Sequence, residues 1–478
     1  MNIRMAVGVV WLAMLAALLH GCGGGTKLAE GQIGGSGITS SGSITAFGSV
    51  IVNGVKFDST SASVTINGAS QPNDGGLRVG MVVKVKGWLS SDRTTGRATS
   101  IDYESEFRGT VDAAPTITPT GGSFAVFGQV VLVDPTTVFD NAVDLTTSIA
   151  AGTIVEVSGF RDSSGQVHAT RIEVKSTLPS TIEVRGTIGN VTATTFTLGN
   201  ITVNYASATQ KGFPTLGLVN GLFVEVKAAA LPVGGTLIAS SVEVQSAGIG
   251  AAEKEQAEVE GLVNNFSGGT SFTVNGQAVS VNSSTTYSNG TAASLANNIR
   301  VQVEGTIGNG ILVAARVQFG SASNISLKAQ VGNINLTGQT LTVFGSPGVV
   351  VKVTSTTSFR DSSSAQMRIF GLGNIVQGDR LSIKGSKDGS NSITATLIER
   401  TNPDTKVSLS GSVDSAVIPI IVVLGVNAVT STTTQFLDAN EKPTSQNLFF
   451  NQLSGKVVQL EGTFNGSTIN VTAASLED

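Results

Sequence analysis

Gly80-Met81-Val82-Val83-Lys84-Val85-Lys86-Gly87 is an alternating run set between glycines, and close relatives of it recur through the chain. Its apolar residues fall at every second position, the period of a strand with one face turned to a core. Related runs stand at Gly152–Gly159, Gly221–Ala228, Asn298–Gly305, Gly378–Gly385 and Gly455–Gly462. A second motif, an Ala followed by an apolar residue and usually an acid, ends 13 to 15 residues after each closing position: Ala98–Asp102, Ala169–Glu173, Ala239–Glu243, Ala314–Gln318, Ala395–Glu399 and Ala473–Glu477. Six coincidences at nearly fixed spacing make a tandem repeat.

Each unit opens with a strand carrying Gly42, Gly109, Gly186, Gly261 or Gly411, with Gln330 at that place in the fifth. A hairpin follows. In the fourth unit Phe272, Val274, Val279 and Val281 alternate about Asn275-Gly276, the pair that suits a type I′ turn. Gly199-Asn200 and Asn53-Gly54 play the same part in the third and first units. The variable stretch after the hairpin, such as Leu145 to Ile149 or Leu448 to Leu453, predicts a loop or single helical turn over one end of the sheet. Five strands with a plug between the third and fourth predict an all-β fold of six small antiparallel barrels of OB-like type. Closure removes the open edges on which such Thr- and Val-rich strands aggregate.

The expected borders are a lipoprotein signal peptide over 1–21, the lipidated Cys22 with a Gly-rich tether over 22–37, and repeats over 38–105, 106–176, 181–246, 256–320, 326–401 and 406–478. Arg4, then the apolar run Ala6–Leu19, then Gly21 before Cys22 have the order of a secretory leader. Leu19-His20-Gly21-Cys22 resembles the lipobox of bacterial lipoproteins, which implies that Cys22 carries the lipid. Gly23 in place of Asp favours the outer membrane within that pattern. The tether Gly23–Gly37 reaches roughly 20 Å from its anchor.

The repeats resemble a bacterial family of tandem-repeat lipoproteins known only as domain-of-unknown-function family 5666. The resemblance rests on the Val-x-Val-x-Gly strand, the Phe-x-Val hairpin and the closing Ala-x-x-Ile-Glu strand. Departures are Ala228 for the closing Gly, Gln330 for the opening Gly, and the run Val417–Leu424 in the sixth unit. The family implies a fold and an envelope address and no chemistry.

Composition excludes several classes. Of 478 residues 58 are Gly, 40% are hydrophobic and 13% charged, which rules out a disordered chain or a helical bundle. One Cys and two His, His20 and His168, leave no disulfide within the chain and no zinc cage. An excess of 33 acidic over 29 basic residues with no basic run makes nucleic acid an unlikely partner. No phosphate-binding Gly loop and no Gly-x-Ser-x-Gly elbow occurs, so no enzyme is expected, and neither cofactor nor metal. An integral outer-membrane barrel is disfavoured by the missing aromatic girdles.

Four features carried a chemical reading beside a plain one. His168 reads as a rim residue of a strand rather than a base. The acids Asp102, Glu173, Glu243, Glu399 and Glu477 read as solvated strand exits rather than a row of cation contacts. Phe160–Gly165 and Phe359–Ser364, both containing Arg-Asp-Ser-Ser, read as Asp turns rather than calcium loops. Trp88 reads as a partly buried packing residue rather than a stacking platform. The resulting expectation is a noncatalytic, envelope-anchored scaffold or stalk bound to the membrane through Cys22 and to a protein or envelope polymer; the alternative is a ligand-binding array for oligosaccharide or extracellular nucleic acid.

Overall fold

The computed structural model describes residues 37–478 apart from 92, 119–120, 143, 247, 321–324, 346–347, 390, 440–441 and 478, so the leader, Cys22 and all of the tether but Gly37 lie outside the described residues. The fourth barrel shows the plan. Its opening strand, Gln256–Asn264, runs antiparallel to the Gly-bounded strand Arg300–Gly308 and to the first arm of the hairpin, Ser271–Val274. The second arm, Gln277–Ser280, closes the ring by lying parallel to the final strand, Ile311–Phe319, which pairs back antiparallel with Arg300–Gly308. The ring is thus antiparallel except at its closure. Alternation of Val301, Val303, Val259, Val274, Val279 and Val317 fills the interior with buried branched side chains. The plug is a short strand, Thr286–Ser288, lying parallel on the final strand, followed by the 3-10 turn Ala292–Ser294.

Two local devices recur. Asn275 and Gly276 have φ of 47° and 76°, the type I′ turn expected. The second and sixth barrels make the same left-handed pair from Phe127-Gly128 and Leu424-Gly425, whose bulky residue is buried. The opening glycine clears room for that turn: a Cβ on Gly109 would stand 2.4 Å from Phe127 Cζ. The closing glycine sits where the register slips between the last two strands, a β-bulge. A Cβ on Gly305 would meet Val313 O at 2.0 Å, and Gly87, Gly159, Gly385 and Gly462 are placed alike. Ala228 takes this place in the third barrel with the same register slip.

The bulge corrects one alignment. Gly305 faces Ala314 and Gly385 faces Ala395, but in the sixth barrel Gly462 faces Val471. A buried threonine hydroxyl at the start of the plug donates to that same carbonyl: Thr285 to Ala314 and Thr357 to Ala395 at 2.8 Å, Thr434 to Val471 at 2.7 Å. The equivalent of Ala314–Gln318 is therefore Val471–Ser475, two residues before the stretch read as Ala473–Glu477. The sixth barrel otherwise follows the plan from Lys406–Val417 through Ile469–Glu477, with a cis Ile418–Pro419 bond between its opening strand and the first arm of its hairpin.

The barrels are not strung as separate beads. Three continuous sheets each hold two of them: first with fourth, second with third, fifth with sixth. The joins are made by opening strands. Phe107–Thr110 pairs antiparallel with Ile182–Thr187, and Ile325–Asn335 with Lys406–Val417. Gly37–Ala46 instead lies parallel to Gln256–Asn264, with Ile38 opposite Gln256 and Ser41 opposite Val259. The sheets also touch one another. Thr170 donates to Gly80 O at 2.6 Å, Asn264 Nδ2 to Arg161 O at 3.0 Å, and the Arg360 guanidinium reaches Phe139 O.

Candidate functional site

Outward positions of the strands carry charge, and the joins bury it. Between the second and third barrels, carboxylate oxygens of Glu104, Glu183 and Glu225 lie within 4.8 Å of one another. The Lys227 ammonium stands among them, 2.8 Å from Glu225 and 3.9 Å from both Glu104 and Glu183. Arg108 is 3.8 Å from Glu183 and Arg185 is 3.6 Å from Glu225. Burial first, and then repulsion from Glu225, pushes the Glu183 carboxyl up to about 8 against the pull of Lys227. A lysine therefore fills the place that a cation would take among these three acids.

The first and fourth barrels meet over a different set. Ser40 Oγ donates to Glu258 at 3.2 Å, Ser43 Oγ to Glu260 at 2.8 Å, and Thr39 Oγ1 to Glu255 at 2.9 Å. Burial, then the charge of Glu304, pushes Glu258 up to about 8, with the Ser40 hydroxyl working the other way. Arg300 binds Glu260 through two nitrogens at 3.0 and 2.6 Å. Beside this pair a cavity of about 200 Å³ opens where four barrels meet, walled by hydroxyl and amide groups that include Thr45, Thr170, Gln302 and Thr396. Asn53, on its wall, is buried with Oδ1 lacking a hydrogen-bond partner.

The residues singled out in the sequence meet in separate pairs, His168 with Asp162 and Ser362 with Glu399, rather than at one site. His168 Nε2 lies 3.4 Å from Asp162 Oδ2 on a partly exposed strand. Asp162 Oδ1 accepts the N–H groups of Ser164 and Gln166 at 2.9 Å, so its loop closes as an Asp turn. Asp361 accepts the N–H groups of Ser363 and Met367 and pairs with Arg400. Burial opposes its ionisation, but the guanidinium and these donors outweigh that and hold its carboxyl well below the usual range. Of the strand-exit acids, Glu173 lies 2.6 Å from Lys175 and Glu399 accepts the Ser362 hydroxyl, whereas Glu243 is a solvated end, exposed beside an exposed Lys211 at 3.6 Å. Cys22 lies outside the described residues.

Trp88 departs furthest from expectation. It is 49% exposed and stands over a groove of about 460 Å³ beside Lys86, Thr99, Lys254 and Gln256. The alternation that places Lys84 and Lys86 outward also places Trp88 outward, and this was the signal available in the sequence. The buried acids were readable in the same way, as the intervening residues of Val155-Glu156-Val157 and Val224-Glu225-Val226, but a join that covers that face is not.

No curated protein matches the chain. Residues 406–477, which follow the matched stretches, repeat the strand order. Each matched stretch holds a hairpin, a bulge and a final strand, and with the model of Domain of unknown function (DUF5666) matching residues 38–102, 108–173, 185–243, 260–318 and 331–399, the chain belongs to that family.

Proposed function

We propose that the chain is a noncatalytic lipoprotein of the cell envelope, held at the outer membrane through lipidated Cys22, whose barrels serve as a scaffold for a protein or envelope polymer. The observation that carries this reading is the fusion of barrels by their opening strands. It turns small barrels, each marginal alone, into joined sheets that keep their outer faces in fixed relation. The titratable groups support it as well, since His168, Asp162 and Asp361 are tied to local backbone and side chains instead of converging on a nucleophile. Among the described residues no helix is long and apolar enough to cross a membrane, so the reading assigns attachment to the lipid on Cys22. The test is fractionation of cells making the chain or its Cys22→Ser variant. The parent should sediment with membranes and the variant should be released; a variant that still sediments would remove the anchor.

A further inference from the structure

The residue after the bulge glycine is aromatic in two barrels, and the two have opposite surroundings. Phe160 in the second barrel is buried, with the Arg300 guanidinium 5.2 Å from its ring centroid. Trp88 in the first barrel is 49% exposed. It stands at the join where the opening strand pairs parallel, with Gly37 opposite Trp88 in one register and Ile38 opposite Gln256 in the other. That offset leaves a groove of about 460 Å³ between the Gly-bounded strand of the first barrel and residues 252–256. Its size lies within the usual span of small-molecule sites.

The walls are held in place. Lys86 Nζ donates to Gly250 O at 3.2 Å, Glu255 accepts the Thr39 hydroxyl at 2.9 Å, and Glu253 accepts the Asn309 N–H at 2.8 Å. Lys254, with a left-handed backbone at φ 64°, is exposed on the rim. Gln256 Oε1 is buried at the groove with no hydrogen-bond partner. A buried oxygen without a donor is costly, and turning the Gln256 amide into the groove that it lines gives that oxygen a ligand hydroxyl to accept from. Two lysines and two glutamates line the groove, so a polyanion gains no net attraction there. An indole face with neutral hydrogen-bonding groups at its edge suits a ring that is apolar on its faces and hydroxylated around its rim. A β-linked pyranose, with its substituents equatorial, has that form.

We propose that this groove binds a β-linked pyranose unit of a polysaccharide, stacked on Trp88 and hydrogen-bonded at its rim to Gln256 and Lys254. The assignment rests on the scaffold reading above and gives the chemistry of what the scaffold holds. Trp88 is the single tryptophan of residues 22–478, so the emission of the chain from Cys22 onward reports this groove alone. Titration with chitotriose and cellotriose should give a saturable emission shift with at least one of them. By calorimetry, Trp88→Ala should weaken that binding about tenfold or more and Trp88→Phe less, with the melting midpoint unchanged in both. Gln256→Leu, which keeps Trp88 as reporter, should also weaken it severalfold. A flat response to both trisaccharides, undiminished affinity in Trp88→Ala, or a response confined to oligothymidylate or to phosphatidylglycerol vesicles overturns the assignment. A flat titration beside intact membrane sedimentation removes the groove and leaves the scaffold; binding by a chain that fails to sediment does the reverse.

Discussion

The join between the fifth and sixth barrels and the join between the first and fourth use the same opening strand and come out differently. In the former the strands run antiparallel, Leu327 faces Leu409, and the two interiors merge into one apolar cluster. In the latter they run parallel, Ser40 faces Glu258, and the interiors stay as separate clusters. The second and third barrels share one apolar cluster as well, with Phe107 paired to both Val157 and Val184, and add the Lys227 network on the outside. Apolar joins add burial and tie two barrels into one unfolding unit. The polar join adds little net stability and instead fixes which surfaces meet, because its hydroxyl–carboxylate bonds form in one register.

Leu409→Ala should show the largest effect, a loss of about 3 kcal/mol in denaturant unfolding, from a fully buried leucine at a shared interior. Hydrogen exchange should rise in the fifth and sixth barrels together, and a rise in the sixth alone would contradict the merged core. Lys227→Met should follow, losing about 3 kcal/mol or somewhat less by taking one of two cations from beside each of the buried acids Glu183 and Glu225. Its loss should shrink as pH falls through about 8, where Glu183 takes up its proton.

Glu258 sharpens the contrast through pH. Its carboxyl titrates near 4.5 when unfolded and is pushed up to about 8 in the fold, so the folded chain holds that proton more tightly. The resulting stability is full below 4.5 and is lost as pH rises through 8. Glu258→Gln should therefore flatten the fall in stability between these two values, by on the order of 1–3 kcal/mol, in melts across pH. The smallest expected effect is that of Ser40→Ala, about 1 kcal/mol, measured by exchange in the first and fourth barrels only. Its hydroxyl donates to Glu258 and accepts from Asn53 Nδ2, so the variant should also move the Glu258 titration further up.

Local features of the fold were legible because each answers to a local rule. Val-x-Val alternation reports one buried face, Asn275-Gly276 reports a left-handed turn, and the closing glycine reports a bulge too tight for a Cβ. The turn at Phe127-Gly128 was hidden because a bulky residue takes a left-handed conformation there only with Gly109 beneath it. The offset at Val471 was hidden because valine stands where the other barrels have alanine, and Ala473 with Glu477 completes the motif two residues later. Which barrel joins which lies further off. Ser40, Leu327 and Phe107 sit at the same outward or inward positions as residues that meet solvent or their own core, and only the partner surface distinguishes them. The exposure of Trp88 follows from the same missing information, since Phe160 occupies the equivalent place and is covered.

The nesting of the second–third pair inside the first–fourth pair sets an order of assembly. The strand Gly37–Ala46 emerges long before Gln256–Asn264, its sheet partner across the join, exists to receive it. Contacts of such sequence separation form late, because the intervening loop must be closed first. As the chain is made, the leading barrel therefore waits with a bare backbone edge while the next two settle on each other, a window open to chaperones and to misdirected pairing with a second chain.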